Sequence, residues 1–188
     1  MQDLNLYLDQ YLSDHRNAII ADLMDLIRVK SLRGESLPGA PYGQGVRKAL
    51  DSAAAKMKAL GYAVKIPEHG KYGYCDIGEG PKIVGIMPHL DVVAAEGTWI
   101  CDPFDPIIQD GYVIGRGSSD DKGGAVASMY ALDAIARSGI KLKNRIRLIW
   151  GCNEETGMED VHAIREDQNK PDFTLIPDAF FAIGVGEK

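Results

Sequence analysis

Residues 82–91 read Lys82-Ile83-Val84-Gly85-Ile86-Met87-Pro88-His89-Leu90-Asp91, an apolar run bounded by Gly80-Pro81 and Pro88 that leads straight into a histidine and an aspartate. A short apolar run between turn-forming residues predicts a strand buried on both faces, as in a parallel sheet. A second run, Arg145-Ile146-Arg147-Leu148-Ile149-Trp150, ends at Gly151. Between the two, from Lys122 to Arg137, Val126, Met129, Tyr130, Leu132 and Ile135 recur at helical spacing. Strand, helix and strand in that order predict an α/β fold, a mostly parallel mixed sheet flanked by helices.

Working outward, Leu4, Tyr7, Leu8, Tyr11 and Leu12, followed by Ile19, Ile20, Leu23, Met24 and Ile27, place the first thirty residues in a helix. A Gly- and Pro-rich loop runs from Ser31 to Gly43. A second helix carries Val46, Ala49, Leu50, Ala53, Met57 and Leu60 and stops at Gly61. Tyr62 to Ile66 and Tyr72 to Ile77 are expected to be strands. The stretch from Thr98 to Gly117 reads as a long loop containing a hairpin at Asp110-Gly111. There is no internal repeat.

Composition narrows the function classes. In 188 residues, 45% are hydrophobic and 26% charged, which fits one globular domain and excludes a disordered tail. Lys plus Arg number 21 against 27 Asp plus Glu, a net charge of -6 with no basic run, so nucleic acid is not an expected partner. No uninterrupted apolar window reaches membrane-spanning length, so no membrane is expected either. Met1-Gln2-Asp3-Leu4-Asn5 lacks the basic-then-apolar pattern of a secretory signal, and a cytoplasmic location follows as the expectation. Cys75, Cys101 and Cys152 are odd in number and widely spaced, which fits reduced thiols.

In open α/β sheets ligands bind beyond the carboxyl ends of the strands, and polar residues cluster there. His89 and Asp91, two apart in extended chain, share a face. The pair suits an imidazole that binds metal through one nitrogen and is oriented by a carboxylate; a lone histidine in an Asp-capped turn is the plainer alternative. The second cluster is Gly115-Arg116-Gly117-Ser118-Ser119-Asp120-Asp121-Lys122-Gly123-Gly124. Helix capping accounts for one of its acids. It does not account for two, nor for two glycines in a first helical turn, each costing about 1 kcal/mol against alanine; close backbone approach would. A phosphate loop is excluded because the G-x-x-x-x-G-K-[ST] spacing is absent. The third cluster, Gly151-Cys152-Asn153-Glu154-Glu155-Thr156-Gly157, follows the second run, and Asp178 follows Pro177. Paired glutamates beyond a buried strand are either a solvated turn or neutralised by cations. Carboxylates with one imidazole form a donor set for zinc, manganese or cobalt.

These three motifs, in this order, resemble the dinuclear zinc peptidases, the family of aminoacylases, acetylornithine and succinyl-diaminopimelate deacylases, glutamate carboxypeptidases and carnosinase-like dipeptidases. Through Pro177-Asp178-Ala179-Phe180 and Gly186-Glu187-Lys188 the chain is most similar to the PepV-type (Xaa-His) dipeptidase branch. The resemblance implies a zinc-exopeptidase-like (phosphorylase/hydrolase-like) catalytic domain, of which residues 1–188 are the N-terminal portion, incomplete at the C-terminus and without the lid domain. It implies two Zn2+ per complete site, with Mn2+ or Co2+ able to substitute. Asp120 would bridge the metals, His89 and Asp178 would bind one and Glu155 the other. Glu154 would be the general base and Asp91 would orient His89, while Asp121 is expected to be structural, as a helix cap.

The family's second metal-binding histidine has no counterpart, since His15, His69 and His162 match no motif and read as solvated surface residues. The expected substrate is a dipeptide or short peptide. N-acyl amino acid deacylation and a non-catalytic metal-binding module stand as alternatives. The chain alone is expected to be inactive, and to self-associate through an exposed, incomplete sheet face.

Overall fold

The computed structural model describes residues 3–178. The chain forms α1 (Leu4–Arg28), α2 (Gln44–Ala59), β1 (Val64–Lys65), β2 (Gly73–Ile77), β3 (Ile83–Ile86), β4 (Ile107–Gln109), β5 (Tyr112–Ile114), α3 (Lys122–Arg137), β6 (Arg145–Trp150), α4 (Glu159–Glu166) and β7 (Phe173–Leu175). Five strands make one sheet in the order β1-β2-β6-β3-β7. β1 with β2 and β2 with β6 are antiparallel; β6 with β3 and β3 with β7 are parallel. The sheet is mixed, as expected, with its parallel part confined to β6, β3 and β7.

The apolar patterns act as read. β6 sends Ile146, Leu148 and Trp150 to one face of the sheet and Ile149 to the other, as a period of two requires. The first face packs on Val46, Ala49, Leu50, Ala53 and Met57 of α2 and Val126, Met129 and Leu132 of α3, with α1 against α3. The second carries a smaller cluster of Tyr72, Tyr74, Ile149, Ala163 and Ile164 beneath α4. After α2, Gly61 and Tyr62 return their N–H groups to Lys58 and Met57 carbonyls, the closing pattern expected of a glycine stop. Asp110 and Gly111, at φ 52° and 84°, form the two-residue turn joining β4 to β5.

Three expectations need correcting, and two elements lie outside what the sequence patterns indicated. β3 is not buried on both faces, because only Gly85 in it is fully buried and the helices lie chiefly over β1, β2 and β6. α4 and β7 were not anticipated: α4 has a single turn or two of apolar face amid charges, and β7 is three exposed residues at the sheet edge. His15 is half-buried, stacked on Tyr11 with ring centroids 4.0 Å apart. His69 is likewise half-buried, its Nε2 2.9 Å from Asp167, so only His162 is a solvated histidine. The three cysteines are free, as expected. No described helix is long and apolar enough to cross a membrane. Beside β7, at the edge of the sheet among the described residues, Phe173, Leu175 and Ile176 are exposed.

One buried carboxylate ties the helices together. Asp133 of α3 accepts hydrogen bonds from Tyr11 of α1, from Tyr62 at 2.6 Å and from Arg137 Nε at 2.7 and 2.8 Å. Burial alone would raise its pKa, yet the bonds from Arg137, Tyr11 and Tyr62 hold it below the ordinary aspartate range. Asp133→Asn is expected to cost about 2–3 kcal/mol at pH 7, since charge-assisted bonds are lost to a buried site. A group whose pKa is lowered by folding contributes above its unfolded value of about 4 and loses that contribution as pH falls through the folded value. The difference between parent and variant in urea unfolding should therefore shrink below about pH 4.

Candidate metal centre

The three parallel strands end side by side, and each delivers polar residues to the same place. Beyond β3 the chain runs on beside the end of β6: His89 pairs with Gly151, Leu90 N donates to Gly151 O at 2.9 Å, and Gly151 N to Pro88 O at 2.8 Å. This brings His89 and Asp91 against Glu154 and Glu155. β7 leads through Ile176-Pro177 to Asp178, and the turn before α3 supplies Asp120.

His89 is the centre of the cluster. It is 3% exposed, and its Nε2 lies 3.0 Å from Asp120 Oδ1 and 3.6 Å from Asp178 Oδ2. Candidate ligand atoms fall into two groups, His89 with Asp120 and Glu155, and His89 with Glu154 and Asp178, each within 4.8 Å. On its other side, His89 Nδ1 is 2.9 Å from the main-chain carbonyl of Asp91 and 3.4 Å from its Oδ1. The carboxylate of Asp91 is engaged mainly by the next turn, accepting from Glu154 N and Glu155 N, both at 3.1 Å.

Asp121 departs from its expected part. It occupies the cap position of α3, but its side chain does not cap; Oδ2 accepts from His89 N at 3.2 Å instead. The two glycines that follow have the reason anticipated for them. A Cβ on Gly123 would come 2.2 Å from Ser118 O, and one on Gly124 would fall 1.9 Å from Asp121 Oδ1 and 2.7 Å from Pro177 O. The helix start is glycine because loop, carboxylate and the segment bearing Asp178 converge on it. Lys122, fully buried, turns away from the acids, and its Nζ donates to Leu26 O at 3.0 Å and Val29 O at 2.7 Å at the end of α1.

The electrostatics are those of a site short of positive charge. Burial would lower the His89 imidazole, but Asp91, Asp121 and Asp120 push it up to about 10. Burial raises Asp121 to about 7 against the opposing pull of His89, and raises Glu154 and Glu155 with their acidic neighbours adding to it. Among the described residues, none of Asp91, Asp120, Glu154, Glu155 and Asp178 forms an ion pair with Lys or Arg. Carboxylates crowded about one imidazole without a basic partner suit divalent cations. The donor set fits the metal expected.

Sequence reasoning missed Asp160 and Asn153. Asp160 accepts from Cys152 N at 2.7 Å and Asn153 N at 3.0 Å; an acid in the first turn of a short helix reads as a response to the helix dipole, and nothing in the sequence marks it as buried. Asn153 closes the turn, with Nδ2 donating to Thr156 Oγ1 at 2.6 Å and Oδ1 accepting from Glu159 N at 3.1 Å.

Known proteins are similar to this chain in sequence and in fold. Residues 85–188, more than half of the chain, match Peptidase family M20/M25/M40, and the chain belongs to that family. It is 34% identical over 172 residues to "Putative dipeptidase YtjP" of Bacillus subtilis (strain 168), a match covering 90% of this chain and 37% of that protein. It is 33% identical over 177 residues to a "Putative dipeptidase" of Staphylococcus epidermidis, covering 93% and 38%. The chain thus spans less than two-fifths of the length of these relatives. Among solved structures, human carnosine dipeptidase 1 superposes with a TM-score of 0.77 at 23% identity, over 95% of this chain and 41% of that one. The dipeptidase Dug1p of Saccharomyces cerevisiae gives 0.78 at 20% identity, over 94% and 41%. These two likenesses establish the fold.

Proposed function

We propose that this chain carries the cation-binding face of a hydrolase that cleaves the peptide bond of dipeptides and other short peptides. The observation that carries the reading is the convergence of His89, Asp120, Glu154, Glu155 and Asp178 from neighbouring strand ends and the α3 turn. The descriptions of the relatives as dipeptidases support the substrate class.

In this reading His89, Asp120 and Asp178 would hold one cation, and Asp120 and Glu155 would hold a second, with zinc, manganese and cobalt all suited to the donors. Bound cations lower the pKa of water and polarise a carbonyl oxygen. The residues of the chain do the rest. Asp91 anchors the turn of Glu154 and Glu155 and, through its carbonyl, holds the Nδ1 proton of His89 so that Nε2 faces the carboxylates. Glu154, half-buried beside His89, accepts a proton from the attacking water and passes it to the leaving amine.

The test has two parts. The chain titrated with zinc or cobalt at neutral pH should take up the cation; no specific uptake counts against the site. A full-length form carrying this chain should cleave a dipeptide faster than an N-acetyl amino acid of the same side chains. The reverse preference would establish the deacylase alternative on the same centre.

A further inference from the structure

The turn that bears Glu154 and Glu155 is held by a second buried carboxylate. Four consecutive N–H groups, from Cys152 to Glu155, donate to side-chain carboxylates. Asp91 receives the last two, and Asp160 Oδ2 receives Cys152 N at 2.7 Å and Asn153 N at 3.0 Å. The other oxygen of Asp160 accepts from Val161 N at 2.9 Å. Asp160 is 1% exposed and has no Lys or Arg partner among the described residues. Its Oδ2 lies 3.0 Å from where a Cβ on Gly151 would stand, so the chain bends closely around it. An acid this buried is satisfied only by the N–H groups that surround it.

We propose that Asp160 is a positioning residue of the metal centre: by gripping the Cys152 and Asn153 amides it sets the backbone from which Glu154 and Glu155 project, opposite the grip of Asp91. The inference rests on the reading of Glu154 and Glu155 as base and ligand. One oxygen of Asp160 takes both turn amides and the other takes only Val161 N, so asparagine can keep the grip through its carbonyl oxygen, whereas alanine removes it. Glutamate would place the carboxylate one methylene too far into a turn that already closes on it. Residues that fix ligands from behind typically govern metal affinity by about tenfold to a hundredfold.

The experiment compares the parent chain, Asp160→Ala and Met57→Ala. Met57 is fully buried in α2 against the other face of the sheet, so its variant loses stability without touching the turn. Two readouts are followed, cobalt(II) affinity by visible absorption and amide hydrogen exchange. Asp160→Ala is expected to weaken cobalt binding about tenfold to a hundredfold. It should also speed exchange of the Glu154 and Glu155 amides, whose own acceptor is intact, relative to the amides of α3. In Met57→Ala these amides should change only in step with α3, and cobalt affinity should stay at the parent value. Exchange at Glu154 and Glu155 that tracks α3 in Asp160→Ala overturns the proposal whatever the affinity. If the parent takes up no cobalt, the metal reading fails, and exchange alone still decides whether Asp160 holds the turn.

Discussion

Asp120→Asn is expected to reduce the cation affinity of the chain by at least about a hundredfold, beyond the effect of residues that only orient ligands. Asp120 stands at the mouth of the cluster, its Oδ1 3.0 Å from His89 Nε2, and its carboxylate belongs to the group that also contains Glu155. Its side chain is 45% exposed, so replacing it leaves no cavity and removes no packing. The variant is isosteric and differs by one negative charge, which confines the loss to binding. Titration with zinc or cobalt beside a thermal melt checks it: affinity should collapse while the melting temperature of the metal-free chain stays near that of the parent. Unchanged affinity would remove Asp120 from the ligand set and leave its neighbour Asp121 as the acid to examine.

Glu154→Gln separates base from ligand. In the proposed reading Glu154 serves proton transfer and does not hold the cation, so the variant should bind metal as the parent does. Peptide hydrolysis, in a full-length form carrying this chain, should fall about 10²–10⁴-fold. Glutamine keeps the size and the main-chain tie to Asp91 but cannot accept the proton. The geometry makes the outcome informative, because Glu154 also groups with His89 and Asp178 at ligand distance. Loss of metal affinity as severe as that of Asp120→Asn would make Glu154 a ligand. Burial and the surrounding acids raise Glu154 above the ordinary glutamate range, the direction that improves a carboxylate as a base near neutral pH.

Much of this protein is legible as sequence because its signals are local. Period-two and period-3.6 apolar patterns give β2, β3, β6, α1, α2 and α3 within a few residues, since each depends on neighbours in the chain. The Asp110-Gly111 turn and the Gly61 stop are local in the same sense. β7 escaped because three residues carry no period, and they become a strand only by pairing with Val84, Gly85 and Ile86. α4 escaped because its apolar face is short and is apolar only in relation to Tyr72, Tyr74 and Ile149. Two of the site motifs could be read because they follow β3 and β6, parallel strands whose ends lie together, and the third because two acids and two glycines mark the start of α3.

What the sequence alone determined is the order of the longer elements and which residue types follow the strands, from residue type and spacing, while the family followed from the resemblance of three motifs. Only the tertiary structure decided how those donors are held. That the Asp91 carboxylate serves the Glu154 and Glu155 amides more closely than the imidazole depends on contacts across 63 and 64 residues. Asp121 holding His89 N rather than capping its own helix depends on a contact across 32. The physical reason is common to both: a buried carboxylate binds whichever N–H groups the fold leaves unpaired beside it, and which those are is fixed when the strands assemble.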